Sequence, residues 1–105
     1  MKEKESDIQR AICDYLALKR HFFWRNNTVG LYDPTTKGYR AMPKYSLAGV
    51  SDIILVKNGQ FWGLEVKTSK TTQSENQRAF EANLKENVGV YAVVRSVDDV
   101  QRLGL

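Results

Sequence analysis

The sequence predicts one α/β domain in which helices flank a mixed β-sheet, in the order helix, three strands, helix, strand and a short C-terminal helix. Apolar residues recur at helical spacing and predict an amphipathic helix whose core-facing row is Ile8, Ala11, Ile12, Tyr15 and Leu16. The runs 53–56 and 88–94 are apolar on both faces, as expected of strands buried inside a sheet. Because a chain of 105 residues supplies one hydrophobic core, we expect residues 1–105 to form a single domain.

Turn and capping residues separate the remaining elements. Asn58-Gly59 is typical of a two-residue hairpin turn, which predicts that the strand before it is followed by an antiparallel partner at 61–67. Ser74 begins the second helix, and Gln77 three residues later completes a capping-box pattern. The other expected elements are a strand at 21–25, a short strand at 39–42 on one arm of a hairpin, and a last helix at 97–103.

The charge is distributed unevenly along the chain. The net charge is +4, yet residues 19–51 alone carry +5 and the rest of the chain carries −1. A basic segment beside a nearly neutral remainder is typical of a surface that binds a polyanion. A solvated basic surface has the same composition, so the segment alone does not decide between the two.

Several classes of protein are excluded. No apolar run approaches the roughly 20 residues of a membrane span, and no signal-peptide pattern begins the chain. The one cysteine, Cys13, and the one histidine, His21, cannot form an internal disulfide or a zinc site of the usual kind. We therefore expect a cytoplasmic protein in which any metal ion is held by oxygen ligands.

Charged side chains occur where the pattern places them at the edge of the core. Asp52 directly precedes a buried strand, and Glu65 and Lys67 lie two residues apart on its partner strand, so these two share a face. The hairpin brings the strands together, and we expect it to place Asp52 beside that pair. Converging carboxylates are costly to ionise unless a cation joins them. Mg²⁺, with Mn²⁺ as a substitute, is the natural candidate because it takes oxygen ligands.

Glu5 and Gln77 extend the core-facing rows of the two long helices, since each precedes the first apolar residue of its row by three positions. Every one of these polar residues also has an ordinary explanation. Glu5 favours a helix start, and Gln77 completes a capping box. Asp52 alone suits a turn, and Glu65 with Lys67 suits an exposed cross-strand pair. Their joint arrangement favours a site.

These residues resemble the PD-(D/E)XK nuclease superfamily and, within it, the VRR-NUC domain, most closely the stand-alone domains of the kind that phages encode. The resemblance covers roughly residues 5–103 and implies the PD-(D/E)XK nuclease-like core. It depends on five motifs, which are Glu5 with Gln9, Gly49-Val50-Ser51-Asp52, Glu65-Val66-Lys67, Gln77, and Val94-Arg95-Ser96.

The resemblance implies a metal-dependent phosphodiesterase. A divalent ion would acidify a water molecule and neutralise charge on the attacked phosphate. Lys67 would position or activate that water and stabilise the pentavalent centre, and Gln77 would orient Lys67 or a phosphate oxygen. The implied catalytic residues are Asp52, Glu65, Lys67 and Gln77. The implied metal ligands are Asp52, Glu65, the Val66 carbonyl and Glu5, the last either directly or through water.

The basic segment would then hold the nucleic-acid backbone, because phosphate contacts need cations without a strict geometry. Two positions depart from the family pattern. Ser51 replaces the proline of the nominal Pro-Asp, and Ser96 replaces the final arginine of the Val-Arg-Arg signature. Arg95 remains and is expected to contact nucleic acid, unless it is an ordinary surface charge at a strand end. The other candidate contacts are Arg25, Lys37, Arg40 and Lys44.

The expected activity is endonucleolytic hydrolysis of DNA. Because one site cuts one strand, branched or duplex DNA requires two copies of the domain, and a two-fold homodimer supplies them. The resemblance to stand-alone relatives implies four-way (Holliday) junctions as substrate, by analogy. The alternatives are a flap-directed or non-specific nuclease, a non-catalytic DNA-binding module, and a structural or regulatory partner of a larger nuclease.

Overall fold

The computed structural model describes residues 3–26 and 44–105, and the backbone of two short strands at 32–33 and 38–39. Among these residues, no helix combines the length and the apolar composition that crossing a bilayer requires. The elements are α1 (Glu5–Leu18), β1 (Phe22–Arg25), β2 (Tyr32–Asp33), β3 (Gly38–Tyr39), β4 (Ile53–Lys57), β5 (Gln60–Val66), α2 (Glu75–Glu86), β6 (Val90–Val94) and α3 (Val97–Arg102).

Four of the strands form one mixed sheet in the order β1-β4-β5-β6. β1 pairs antiparallel with β4, and β4 pairs antiparallel with β5 through the hairpin. β6 returns parallel to β5, which requires a crossover connection, and α2 supplies it. β2 and β3 form a separate two-stranded ladder. The predicted fold class, a mixed sheet flanked by helices, is confirmed.

The two faces of the sheet have different coverings. Side chains alternate along a strand, so Leu64 and Val66 of β5 lie on the face that joins the core beneath α1 and α3. Gly63 lies against Leu84 of α2, which places Glu65 on that second face as well. The buried core consists of Ile12, Leu16, Ile53, Leu55, Leu64, Val66, Val94, Val100 and Leu105.

The element boundaries follow the residues that predicted them. Asn58 and Gly59 have φ angles of 53° and 76°, the left-handed pair that a two-residue turn between right-twisted strands requires. The predicted row of α1 is wrong at one position, since Ala11 is exposed. It lies one helical step, about 100°, from Ile12, which is enough to leave the covered face. Of the predicted strand at 39–42, only Tyr39 lies within the described residues, where it ends β3.

Candidate active site

Polar side chains from three elements meet at the carboxyl end of β5. Asp52 stands one residue before β4, and Glu65 is the second-last residue of β5. Lys67 directly follows that strand, and Gln77 lies in the first turn of α2. The tight hairpin fixes β4 beside β5, and α2 covers the face that carries Glu65. The fold therefore brings these four residues to one end of the sheet.

Asp52 is bonded to the backbone of β5. Its Oδ2 accepts a hydrogen bond from the Val66 N–H at 2.8 Å. Because β4 begins only at Ile53, no β4 backbone carbonyl pairs with this N–H, and the Asp52 side chain takes that place. The N–H and C=O of one strand residue point toward the same edge, so the Val66 carbonyl lies on the edge that faces Asp52. The Lys67 N–H points the other way and donates to the Val94 carbonyl at 3.0 Å.

Glu65 is a buried carboxyl group with one free oxygen. The residue is 1% exposed, and its Oε2 accepts a hydrogen bond from Gln77 Nε2 at 3.1 Å. Its Oε1 is buried and has no hydrogen-bond partner in the part of the chain that the structure describes. Burial first, then the neighbouring Asp52 carboxyl group, raise the pKa of Glu65 to about 9. Without a cation, Glu65 therefore holds a proton at neutral pH.

Gln77 uses both ends of its amide group. Its Oε1 accepts a hydrogen bond from the Ser74 N–H at 2.8 Å, and the Ser74 Oγ accepts one from the Gln77 N–H at 3.2 Å, which completes the capping box. The opposite end of the amide donates to Glu65. The sequence left open whether Gln77 caps the helix or faces the site, and it does both. Its amide nitrogen donates to Glu65 here. The orientation of Lys67 or of a phosphate oxygen, which the resemblance implied for Gln77, stays a prediction.

Gly49 allows the segment before Asp52 to approach the start of α2. Its φ is +78°, a conformation that disfavours every residue with a side chain. A Cβ atom at this position would overlap the Asn76 carbonyl group and the Gln77 nitrogen. The glycine therefore sets the distance between the segment that carries Asp52 and the helix that carries Gln77.

Lys67 and Glu5 complete the electrostatic surroundings of Glu65. Lys67 is 7% exposed, and its positive charge lowers the pKa of Glu65 against the raising effects. Glu5 is the first residue of α1, where it also suits the positive helix start. It is half-buried, and its charge raises the pKa of Glu65 more weakly than Asp52 does.

The donor set at this point fits a hard divalent cation. Mg²⁺ takes oxygen ligands and retains several waters, so a few protein donors are sufficient. Asp52, Glu65 and the Val66 carbonyl lie together, and the unpartnered Glu65 Oε1 is a buried acceptor that a cation would satisfy. Among the described residues, no group of three His, Cys, Asp or Glu side chains lies close enough to bind one ion. The structure therefore does not bring Glu5 within reach of one ion together with Asp52 and Glu65, and its role as a ligand, direct or through water, stays a prediction.

A polar loop that follows Lys67 was not assigned any role from the sequence. Arg95 Nη1 donates hydrogen bonds to the carbonyl oxygens of Thr68 and Thr71, the latter at 2.8 Å. Glu3 Oε2 accepts from the Ser69 N–H at 3.1 Å and from the Ser69 Oγ at 2.6 Å. These bonds, with Lys70 and Arg95 nearby, hold the pKa of Glu3 below its ordinary value. The sequence carried no signal for Glu3, since it lies 66 residues from its partner.

The predicted nucleic-acid contacts are divided between described and undescribed parts of the chain. Arg25 is exposed on β1 and donates to Gln9 Oε1 at 3.2 Å. Lys44 is exposed, with its Nζ 5.1 Å from the centre of the Tyr45 ring. Lys37 and Arg40 lie outside the described residues. Arg95 is half-buried and bound to the loop carbonyls, which is a structural role. Its contact with nucleic acid stays a prediction.

A solved structure titled "VRR_NUC domain" is similar to this chain over nearly its whole length. The similarity covers 97% of this chain and 95% of that chain, with a TM-score of 0.66 and 17% sequence identity. No family model matches the sequence, and no curated protein matches it. At this identity, the likeness defines the fold.

The chain therefore has a PD-(D/E)XK nuclease-like fold. More narrowly, it has the fold of a VRR-NUC domain, as the sequence motifs predicted. The order of elements and the mixed sheet agree with that assignment.

Proposed function

We propose that this protein is a divalent-metal-dependent endonuclease that hydrolyses phosphodiester bonds of DNA, with residues 1–105 as one nuclease domain. One observation carries the proposal. Glu65 is buried beside Asp52, and its Oε1 lacks a partner within the described residues. A structural role does not explain a second carboxyl group at this point, because burying it raises the free energy of the folded chain. A cation-binding role explains it.

The proposed ligands are Asp52, Glu65 and the Val66 carbonyl, with Glu5 direct or through water. Mg²⁺, or Mn²⁺ in its place, would supply positive charge at the attacked phosphate and acidify water. Asp52 is held in position by the Val66 N–H. Gln77 holds Glu65 by one oxygen, and the other oxygen has no hydrogen-bond partner among the described residues.

Lys67 has a separate role in the proposal. It can position or activate the attacking water and can stabilise negative charge on the pentavalent phosphate. Its 7% exposure keeps bulk water from screening either interaction. Gln77 acts through Glu65 as a positioning residue.

Branched DNA, such as a four-way junction, is the proposed substrate, and a homodimer is the proposed active form. A single site cuts one strand, so two copies related by a two-fold axis would cut both. Arg25, Lys37, Arg40, Lys44 and Arg95 are proposed to contact the phosphate backbone. The proposed location is the cytoplasm, where Mg²⁺ and DNA are both available.

The test is cleavage of four labelled DNA substrates, namely a four-way junction, a flap, a linear duplex and a single strand, with Mg²⁺ or Mn²⁺. We expect cleavage to be lost in Asp52→Asn and Lys67→Ala while DNA binding survives. Asp14→Asn, an exposed acid in the middle of α1, is the matched charge control and should cut like the wild type. Cleavage that persists in excess chelator contradicts the proposal. Binding without cleavage under every condition favours the non-catalytic DNA-binding module instead.

A further inference from the structure

The loop 68–71 presents two hydrogen-bond donors to the outside. Inside the loop, the Thr68 N–H donates to Thr71 Oγ1 at 2.8 Å, and the Lys70 N–H donates to Thr68 Oγ1 at 3.2 Å. Ser69 differs from its neighbours, because its N–H and its Oγ both donate to the carboxylate of Glu3. The backbone donors of Thr68, Lys70 and Thr71 are therefore satisfied inside the loop, and the Ser69 N–H and Oγ are the pair that bonds outside it.

The loop is held rigidly in this form. Arg95 Nη1 binds the Thr68 and Thr71 carbonyl oxygens at its two ends, and Thr68 is 9% exposed. Ser69 and Lys70, by contrast, are exposed. Lys70 and Arg95 add positive charge close to the Glu3 carboxylate. Two donors that converge on one point, with positive charge nearby, can bind an anionic oxygen atom. The phosphate oxygen of a nucleic-acid backbone is the common example.

The position of Ser69 relative to Lys67 fits a nucleic-acid strand. Two residues of extended chain span at most about 7 Å. Successive phosphates of one DNA strand advance by about 3.4 Å along the helix axis and also wind around it, so they are farther apart than this advance. The short chain separation of Lys67 and Ser69 is therefore comparable to the spacing of neighbouring phosphates on a strand.

We propose that the Ser69 N–H and Oγ, with Lys70, form a binding site for a backbone phosphate next to the one that is cleaved, and that Glu3 occupies this site in the free protein. The inference rests on the proposed function. Glu3 is exposed and lies before the first residue of α1, so its displacement breaks two hydrogen bonds and leaves the helix intact. DNA must compete with this carboxylate for the site. The apparent affinity of the site for phosphate is therefore its intrinsic affinity multiplied by the fraction of molecules in which Glu3 has left it.

The test measures DNA binding in excess chelator, where no cleavage occurs, by fluorescence anisotropy of a short labelled duplex at low salt. Glu3→Gln is expected to bind about three- to tenfold more tightly than wild type, the range that losing a charged surface hydrogen-bond pair supports. Glu86→Gln, an exposed acid at the last position of α2, removes the same charge away from the loop and is the control. It accounts for the general effect of net charge on affinity.

Ser69→Ala supplies the second arm of the experiment. In wild type the lost hydroxyl weakens both the Glu3 contact and the phosphate contact, so the two effects partly cancel. In Glu3→Gln the competing contact is weaker, because the amide oxygen that remains carries no charge, and the loss of affinity on adding Ser69→Ala should be larger. Equal losses in the two backgrounds, or Glu3→Gln binding no more tightly than Glu86→Gln, would overturn the inference.

The two proposals can fail separately. If none of the four DNA substrates is cut but Glu3→Gln binds DNA more tightly than Glu86→Gln, the phosphate-binding site is supported and the nuclease activity is not. If cleavage is metal-dependent but the Glu3 and Ser69 variants behave like the control, the nuclease stands and the phosphate site does not.

Discussion

Replacing Glu65 with glutamine tests whether this carboxyl group is a buried acid kept for binding a cation. In the unfolded chain its pKa is the ordinary 4.5, and in the folded protein without metal it is about 9. The folded state therefore binds the proton more tightly. This contribution to stability is fully present below the unfolded pKa and is lost as the pH rises toward the folded pKa.

The size of the effect follows from the two pKa values. Between them, each pH unit lowers the free energy of unfolding by about 1.4 kcal/mol, so wild type loses about 2.7 kcal/mol from pH 6 to pH 8. At pH 8 the accumulated loss is at most about 5 kcal/mol. Glutamine resembles the protonated acid in shape and in its lack of charge, and it does not titrate. Glu65→Gln should therefore be more stable than wild type at pH 8 in chelator, although it should not cut DNA.

The assay is urea denaturation at several pH values between about 5 and 9 in excess chelator, which covers the window between the two pKa values. Wild type should show the falling free energy of unfolding, and Glu65→Gln should not show this component. Glu86→Gln is exposed and should retain the wild-type dependence. The reasoning is refuted if Glu65→Gln is no more stable than wild type at pH 8 and follows the same pH dependence.

Three other predictions concern the cation, the glycine and the basic segment. Mg²⁺ should raise the melting temperature of wild type more at pH 8 than at pH 5.5, because binding must displace the Glu65 proton, and calorimetry should show no such increase for Asp52→Asn. Gly49→Ala should lower the free energy of unfolding by well over the roughly 1 kcal/mol expected for Gly59→Ala. Both glycines have positive φ, but of the two only Gly49 has other atoms where a Cβ would lie. Equal losses of stability in urea denaturation would contradict the steric argument. Lys37→Ala and Arg40→Ala should each reduce the slope of log K against log salt by about one, as measured in binding titrations, whereas an unchanged slope would mean that these side chains do not touch phosphate.

The parts of the structure that the sequence predicted are those governed by local chemistry or by a short pairing. Asn58-Gly59 specified its turn because few residue pairs accept two positive φ angles. That turn fixed the register of β4 and β5, and the register in turn determined which residues of β5 lie near Asp52. The acidic pair thus followed from one hairpin and the two-residue period of a strand.

The contacts that escaped prediction join segments that no local rule connects. Glu3 and Ser69 meet because α1 begins near the carboxyl end of β5. The two residues are far apart in the sequence, and no pattern around either one predicts the contact. Arg95 was expected at phosphate or at solvent, and it binds two backbone carbonyls. That choice depends on where the loop after β5 turns, which is decided by the hydrogen bonds of Thr68 and Thr71 and not by a pattern visible in the sequence.

Gln77 shows why a capping residue and a site residue can be the same side chain. A capping-box glutamine must turn its Oε1 back toward the N-cap nitrogen, and this fixes the direction of its Nε2. Gly49 allows the segment that leads to Asp52 to pack closely against this turn of α2. The Gln77 Nε2 therefore donates to Glu65 and not to water. The other oxygen of Glu65 has no hydrogen-bond partner among the described residues, in a carboxyl group that senses the charges of Asp52 and Lys67. The orientation of the buried carboxyl group is therefore set by the start of α2, so a variant that loosens the capping box, such as Ser74→Ala, should disturb the site without touching any of its charged groups.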